Sequence, residues 1–301
     1  MEKIIINVSN FKSEILVGEK WTSVTSLIPD NNVVIITDDN IFKLYENKFP
    51  KVPVLTITPG EQSKNLDVIS YLTDKLLEIG IDRSGFILAI GGGVVCDMAG
   101  FLASIYMRGI RCGYISTSLL SQVDACIGGK NGVNIKNAKN ILGTIRQPVF
   151  VICDPTMLLT LPDEEYLSGL SELIKTAIIG DKELFELIEN NYKKIMARDC
   201  DFMSILINKA IKFKASIVIK DEKEIGLRRI LNFGHTYGHA IEIQKSMKHG
   251  FAVASGMEFA VSFSYDKWFI SLNEKNRIID LLKRLIFLIK IVIFPMNYLN
   301  N

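Results

Sequence analysis

Three histidines and one glutamate are the residues most able to bind a metal ion. His235 and His239 lie four residues apart in NFGHTYGHA, a spacing that puts both imidazoles on one face of a helix, and His249 follows closely. Glu172 stands three residues before Lys175 in GLSELIKTA, among apolar neighbours that imply burial, and a buried charge needs a partner or a metal. The residue types predict a catalytic zinc held by Glu172 and two or three histidines, without indicating which histidine is spared.

Two glycines interrupt the helical spacing of the first two histidines. Gly234 and Gly238 would weaken a helix, so they favour a helix start that packs closely against a ligand. A lone histidine is more often a hydrogen-bonded structural residue. The confinement of all three to one short stretch instead favours one shared site.

A second group of polar residues lies in glycine-rich segments with weak periodicity, where side chains can converge on an anionic substrate. Any one lysine there is more often solvated surface, but in IGGK two glycines before the lysine indicate backbone packed close to a ligand. This group comprises Arg108, Asp124, Lys130, Lys139 and Asn140.

The sequence GGGVVCD, residues 91–97, follows an apolar run and leads into a helical segment. Its glycines would let backbone amides approach a phosphate at the positive end of that helix, although the pattern is not GxGxxG and also suits a packing turn. Asp38 and Asp39 follow an earlier apolar run, and Glu61 and Lys64 follow the next one. Three polar clusters at the ends of successive strands favour a nucleotide site.

The elements that must position these residues fall into two kinds. Short β-branched runs at 33–37, 54–58, 86–93, 112–117 and 149–155, with a helix at 66–80, predict parallel strands of an α/β sheet. Beyond Pro155 the apolar spacing predicts helices, the first capped by Asp163. We therefore expect an α/β nucleotide-binding domain at 1–155 and a mainly helical domain at 156–301.

Composition narrows the class of protein. A chain of 301 residues, 48% hydrophobic and with a net charge of +2, fits a soluble two-domain protein and predicts no nucleic-acid or membrane partner. Five cysteines without CxxC spacing predict buried free thiols, and with no secretory signal we expect a cytoplasmic protein. The apolar run 285–294 contains Lys290 and falls short of the roughly 20 residues that span a bilayer, so it predicts a buried helix or strand.

Several longer motifs, in their order along the chain, resemble the 3-dehydroquinate synthase family. They are GGGVVCDMAGFLASIYMRG, STSLLSQVDACIGGKNGVN, KNILG, GLSELIKTAII and LRRILNFGHTYGHAIE, within a resemblance from about Thr37 to Met257. The resemblance implies a Rossmann-like, parallel-rich domain followed by a helical metal-binding domain, a homodimer, and the cofactors NAD and Zn²⁺ or Co²⁺. It implies conversion of 3-deoxy-D-arabino-heptulosonate 7-phosphate to 3-dehydroquinate and phosphate in the shikimate pathway. NAD would oxidise one hydroxyl, phosphate would leave, the cofactor would reduce the ketone, and aldol addition would close the ring.

The resemblance also implies a role for each matching position. The metal would be held by Glu172, His235 and His249, with His239 and Asn232 facing the substrate. Arg108 would reach the phosphate in the neighbouring subunit's site. The other substrate-binding positions are Asp124, Lys130, Asn140, Lys175, Lys214 and Arg228. The NAD-binding positions are Asp38, Glu61, Lys64, Gly92, Gly93, Val94, Asp97, Thr117, Ser118, Lys130 and Lys139.

This chain departs from the family pattern at two places. Phe251 replaces the acid that commonly follows His249-Gly, with little expected consequence. Family members usually continue further and close with a lysine-rich segment, which IKIVIFPMNYLNN does not match, so we expect an incomplete helical domain with a weaker hold on the phosphate.

Three other functions are alternatives. One is a sister cyclase acting on sedoheptulose 7-phosphate or glucose 6-phosphate, one is a glycerol dehydrogenase-like NAD- and metal-dependent alcohol dehydrogenase, and one is an inactive NAD-binding homologue. Arg228 and Lys214, as candidates for binding a carboxylate, favour the heptulosonate.

Overall fold

A computed structural model describes residues 1–8, 11–136, 138–245 and 247–287, without the side chains of residues 243–245 and 287. The strands are β1 (Glu2–Val8), β2 (Phe11–Val17), β3 (Val33–Asp38), β4 (Val54–Ile57), β5 (Phe86–Gly91), β6 (Arg111–Ser116), β7 (Lys130–Ile135), β8 (Ala138–Ile145) and β9 (Phe150–Cys153). The α-helices are α1 (Asp39–Tyr45), α2 (Leu66–Ile79), α3 (Gly93–Ile105), α4 (Asp163–Gly180), α5 (Lys182–Asn190), α6 (Tyr192–Met196), α7 (Cys200–Lys220), α8 (His235–Lys245), α9 (His249–Asp266) and α10 (Leu272–Leu282).

The main sheet has the strand order β1-β2-β9-β6-β5-β3-β4. Only β1 and β2 pair antiparallel, while the other neighbours run parallel. In β3, Val33 and Ile35 pack into the core on one face, and Val34 and Ile36 into the core on the other. The predicted fold class, a parallel-rich α/β sheet followed by a mainly helical region, is confirmed, and the carboxyl ends of β4, β3, β5 and β6 share one edge.

The strands β7 and β8 form a separate antiparallel hairpin that the sequence did not predict. Gly132 lies opposite Gly143, and a Cβ on Gly132 would lie 2.8 Å from the carbonyl oxygen of Leu142, so close pairing needs glycine there. Lys130, Lys139 and Asn140, for which the weak periodicity of the sequence predicted no strand, are all on this hairpin.

The helical region begins with α4, whose predicted cap is wrong. Pro162 occupies the N-cap position, and Asp163 is instead the first helical residue, with its carboxylate 2.5 Å from Arg198. Phe251, in place of the acid of the family pattern, is buried in the core on α9. Four of the cysteines are buried free thiols, whereas Cys200 is half-buried.

The C-terminal run lies only partly within the described residues. Leu285 and Ile286 are buried, while residues 288–294 and the whole closing sequence IKIVIFPMNYLNN lie outside the described ranges. Among the residues that the structure describes, no helix is both long and apolar enough to cross a membrane. The domain boundary near Pro155 stays a prediction.

Candidate active site

Glu172, His235 and His249 come together from α4, α8 and α9. Glu172 is fully buried, and its Oε1 lies 3.3 Å from Nε2 of His249 and 3.8 Å from Nε2 of His235. Lys175 forms an ion pair with this carboxylate, yet neither oxygen of Glu172 accepts a hydrogen bond of normal geometry from a described residue. A buried carboxylate facing two imidazole nitrogens fits a catalytic zinc site with one open position.

The glycines around the histidines let α8 and α9 pack in direct contact. A Cβ on Gly256 would lie 1.8 Å from the carbonyl oxygen of Gly234, and one on Gly238 would lie 2.9 Å from that of Ala252. Both glycines face the backbone of α9, and the predicted helix start is confirmed because α8 begins at His235, while its approach to a ligand stays a prediction. The contact helps to hold the rings of His235 and His249 at 5.3 Å centroid to centroid.

The second ring nitrogen of each of these two histidines also faces an acceptor. Nδ1 of His235 lies 3.2 Å from the carbonyl oxygen of Phe233, and Nδ1 of His249 lies 3.4 Å from Oε2 of Glu242. Burial lowers the pKa of His249, but the carboxylates of Glu172 and Glu242 outweigh it and raise that pKa to about 10. Without a metal, His249 therefore carries a proton that a divalent ion must displace.

His239 lies beside this cluster without facing Glu172. Its ring centroid is 5.3 Å from that of His235 and 6.0 Å from that of His249. Partial burial and the neighbouring His249 lower the pKa of His239, so its ring is neutral at pH 7. Its ligand atoms also lie within 4.8 Å of those of Glu242 and His249, which makes a second group of possible metal ligands.

Asp124 is held between two buried lysines. Lys175 donates to Oδ2 at 3.3 Å, and Lys214 contacts Oδ1 and also donates to the Asp124 carbonyl oxygen at 2.6 Å. Burial raises the pKa of Asp124, but Lys175 and Lys214 outweigh it and hold the pKa well below its usual range. The carboxylate is therefore ionised and can accept a hydrogen bond from a hydroxyl group.

Glu224 is a site residue that the sequence analysis missed. It forms an ion pair with Lys130 and accepts a hydrogen bond of 2.6 Å from Nδ2 of Asn232. Its spacing of eight residues before Asn232, in a segment with no regular pattern, carried no signal that could have placed it here.

Arg228 is a buried cation in the same segment as Glu224 and Asn232. Its guanidinium donates to the carbonyl oxygens of Glu222 at 2.6 Å and Gly128 at 3.1 Å. Gly128 has φ +102°, and a Cβ there would lie 2.5 Å from Nη2 of Arg228. The two glycines of IGGK therefore allow close packing within the protein, Gly128 against Arg228 and Gly129 against Gln147, while the predicted approach of this backbone to a ligand stays a prediction.

Most of the predicted nucleotide-binding residues lie along the carboxyl edge of the sheet, whereas Lys130 and Lys139 lie on the β7–β8 hairpin. Nζ of Lys64 donates to Asp97 at 2.5 Å and to Oδ1 of Asn140 at 2.6 Å. This places Asn140 with the nucleotide group, whereas the sequence placed it with the substrate group. Glu61 accepts a hydrogen bond of 2.8 Å from Asn134, a further residue of the hairpin.

Three of the predicted nucleotide-binding residues have local roles. One oxygen of Asp38 caps α1, accepting from the backbone amides of Asn40 and Ile41. The backbone amide of Thr117 donates to the carbonyl oxygen of Gly91, and the Ser118 hydroxyl hydrogen-bonds Ser121, so both shape the turn after β6.

The glycine-rich turn fits a phosphate group. Helix α3 begins at Gly93, and no side chain caps it. A Cβ on Gly92 would meet Ser118 Oγ at no closer than 3.4 Å, so packing alone does not require this glycine. Val94, by contrast, is half-buried and packs against the core. Uncapped amides beside an open glycine suit the pyrophosphate of a dinucleotide.

Arg108 lies apart from these clusters. It is exposed and makes no hydrogen bond or ion pair with any residue that the structure describes. Met107 and Arg108 have φ values of +49° and +67°, a strained conformation for two successive residues other than glycine.

A large open cavity adjoins the cluster of Glu172, His235 and His249. Its volume is about 1040 Å³, and its lining includes Glu224, Asn232, Phe233 and Ile278. None of Glu172, His235 and His249 lines it. The position of this cavity therefore does not by itself locate the candidate metal site.

An open α/β sheet edge, a Glu-His-His cluster and several buried cations fit one class of protein, the nucleotide- and metal-dependent enzymes that act on anionic substrates. The 3-dehydroquinate synthase N-terminal family model matches residues 54–168, and the C-terminal model matches residues 169–299. The chain belongs to the 3-dehydroquinate synthase family.

Individual relatives agree with this assignment. The chain is 39% identical over 281 residues to the 3-dehydroquinate synthase of Alkaliphilus metalliredigens, covering 90% of this chain and 79% of that protein. The structure superimposes with a TM-score of 0.85 on a 2-epi-5-epi-valiolone synthase from Streptomyces hygroscopicus with NAD⁺ and Zn²⁺ bound, at 26% identity over 93% of this chain and 82% of that chain. It also superimposes with a TM-score of 0.84 on a 2-deoxy-scyllo-inosose synthase complexed with carbaglucose-6-phosphate, NAD⁺ and Co²⁺. The sequence identity to that protein is 27%, and the match covers 94% of this chain and 81% of that chain.

These comparisons confirm the resemblance, the fold and the function predicted from the sequence. The activity is that of a 3-dehydroquinate synthase, a carbon–oxygen lyase.

Proposed function

We propose that the clusters around Glu172 and Asp124 form the active site that converts 3-deoxy-D-arabino-heptulosonate 7-phosphate to 3-dehydroquinate and phosphate. One observation carries this proposal: the buried ammonium of Lys175 pairs with both Glu172 and Asp124, so the candidate metal ligands and the candidate substrate groups form one site.

In this proposal, Glu172, His235 and His249 hold a divalent metal ion, and the edge around Gly92, with Lys64, Asp97 and the rest of the predicted set, holds NAD. The metal and the nucleotide found in the two solved structures support both cofactors. When bound, the metal supplies Lewis acidity that lowers the pKa of a substrate hydroxyl, and NAD accepts and returns a hydride.

The chain's own residues bind the substrate and move its protons. Asp124, kept ionised by Lys175 and Lys214, accepts a hydrogen bond from a substrate hydroxyl and so fixes the ring. The neutral ring of His239 takes up or delivers a proton at the edge of the cluster, where it remains accessible.

A set of cations and amides binds the anionic groups of the substrate. Lys130 and Asn232, both held by Glu224, lie next to the buried Arg228. Asn140 acts at the nucleotide edge through Lys64. Because Lys214 and Arg228 are buried, a substrate that carries both a carboxylate and a phosphate offsets their charges better than a sugar phosphate without a carboxylate.

The assembly and compartment are further parts of the proposal. We infer a homodimer in which the exposed and strained Arg108 reaches the phosphate of the neighbouring site. The free thiols support a reducing compartment, the cytoplasm.

The test is phosphate release by the full chain, supplied with NAD and zinc, from the heptulosonate. We expect phosphate release that a chelator abolishes, no net NADH, and slower turnover of sedoheptulose 7-phosphate. NADH accumulating in proportion to substrate would support an alcohol dehydrogenase, and NAD binding without turnover an inactive homologue. Faster turnover of the sedoheptulose phosphate would favour a sister cyclase.

A further inference from the structure

Glu242 is a nearly buried carboxylate on α8, seven residues after His235 and therefore two helical turns along the same face. Its two oxygens have different partners. Oε1 accepts a hydrogen bond of 2.7 Å from Nζ of Lys139, and Oε2 lies 3.4 Å from Nδ1 of His249.

The imidazole of His249 therefore lies between two carboxylates. Its Nε2 is 3.3 Å from Glu172, and its Nδ1 faces Glu242 on the other side of the ring. A histidine that binds a metal through Nε2 must carry its proton on Nδ1, and the acceptor of that proton fixes the tautomer and the ring orientation. His235 has the carbonyl oxygen of Phe233 for this purpose, whereas His249 has a charged acceptor.

Lys139 gives this acceptor a fixed position. It lies on β8, more than one hundred residues earlier in the chain, and its ammonium holds one oxygen of Glu242 while the other faces His249. Glu242 is only 8% exposed, so the pair is partly shielded from water although Lys139 itself is 47% exposed.

We propose that Glu242 is a positioning residue that fixes the His249 ring for metal binding and ties α8 to the β7–β8 hairpin through Lys139. The inference rests on the proposed metal ligands Glu172, His235 and His249.

A direct ligand role for Glu242 is the competing explanation, because His239, Glu242 and His249 also lie within reach of one ion. If His249 already bound a metal through Nε2, a second ion at Nδ1 would require the ring to lose both protons. The ammonium of Lys139 also occupies Oε1 and would repel a cation. Both facts favour the positioning role.

The experiment compares Glu242→Ala and Glu242→Gln with the unmodified chain in its metal-free form. Co²⁺ affinity is measured by competition with a chromophoric chelator, and the visible spectrum of the Co²⁺ complex reports the ligand geometry. We expect Glu242→Ala to weaken Co²⁺ binding about 10–100-fold and to shift the spectrum, since the loss of an outer partner of a ligating histidine has this effect. Glu242→Gln should lose less, because its amide oxygen can still accept from Nδ1.

The matched control is Glu165→Gln. Glu165 pairs with Lys248, the residue before His249, but it is an exposed surface carboxylate with no contact to the imidazole. This variant should keep the affinity and the spectrum of the unmodified chain.

Two results would overturn the inference: unchanged affinity and spectrum in Glu242→Ala, or binding of two ions per chain with one lost in Glu242→Gln. If Glu242→Ala does not fold, as judged by circular dichroism, the affinity and spectrum of Glu242→Gln decide instead.

His235→Ala separates this inference from the proposed function. If His235→Ala keeps full affinity, the ligand set itself is wrong; if it loses the metal while Glu242→Ala does not, only the role of Glu242 is wrong.

Discussion

Lys64 donates a hydrogen bond of 2.5 Å to Asp97, and the same ammonium donates to Asn140. One nearly buried cation therefore joins the segment after β4, the first turns of α3 and the β7–β8 hairpin. These are the elements that would surround the nucleotide, and this side chain helps to fix their mutual position.

Replacement of Lys64 with methionine should weaken NAD binding. The change leaves Asp97 without its cation and removes hydrogen bonds to charged groups, which contribute about 1.5–3 kcal/mol each, or about 10–100-fold in affinity. Calorimetric titration with NAD measures the effect. Lys75→Met is the control, because Lys75 forms only a surface pair with Glu78. An NAD affinity in Lys64→Met equal to that in Lys75→Met would contradict the prediction.

The three histidines should separate into two functional types. His235→Ala and His249→Ala each remove a proposed ligand, so we expect loss of tightly bound zinc, with affinity falling by more than the roughly 100-fold seen for outer partners. His239→Ala should keep its zinc and lose turnover, since that ring does not face Glu172. Zinc content after dialysis and phosphate release measure both. Loss of zinc in His239→Ala would move it into the ligand set.

Lys130 should make substrate binding depend on pH. Burial lowers the pKa of Lys130 to about 8, with help from the positive charges of Arg228 and Lys214, and the negative charge of Asp124 does not offset this. Since the pKa is lowered, the lysine is charged below pH 8 and loses its proton above it, while the substrate phosphate stays doubly charged. KM should therefore rise above pH 8 by up to about tenfold per pH unit.

The arginine variant Lys130→Arg provides the check on this assignment, because arginine stays charged throughout this range. Its KM should stay level between pH 8 and 9.5. If KM rises equally in both proteins, another group causes the pH dependence.

Arg228→Lys should lower kcat/KM although it conserves charge. The guanidinium of Arg228 contacts two carbonyl oxygens from separate segments, and the compact ammonium of lysine cannot reproduce this fork. We expect about a 10–100-fold loss, corresponding to one charged hydrogen bond. Steady-state phosphate release measures it. The neighbouring Arg229 is exposed, so Arg229→Lys should stay near the unmodified rate; equal losses in both variants would refute a specific role for Arg228.

Subunit mixing tests the role of Arg108. Arg108→Ala and His235→Ala should each be inactive alone, but a mixed dimer would contain one site with both an intact metal cluster and an intact arginine from the other subunit. Random mixing in equal amounts should restore about a quarter of the unmodified rate, since half the dimers are mixed and each has one complete site. No recovery after verified exchange would show that Arg108 does not act across the interface.

Strand and helix placement was predictable where the apolar pattern was strong. The run Val33 to Thr37 is β-branched and buried on both faces, so it could hardly form anything but a central strand. The β7–β8 hairpin was not predictable, because glycines and asparagines interrupt its apolar residues and it pairs only with itself. Its alternation is too weak to separate it from a loop.

The metal cluster shows a similar limit. Spacing alone put His235 and His239 on one face, but the choice between them depends on where α9 and α4 lie, which no local pattern determines. Glu242 could have been found, since seven residues after His235 is the same helix face. Its partner Lys139 could not have been found, because Lys139 and Glu242 lie in different predicted domains, and the sequence does not show how these domains contact each other.

The contact of Gly234 with Gly256 leaves no room for α8 to rotate or slide against α9. This close packing favours a fixed spacing of His235 and His249, whose ring centroids lie 5.3 Å apart. We expect the empty protein to keep its ligands in place and to bind a new ion without refolding, so removal of the metal should be reversible.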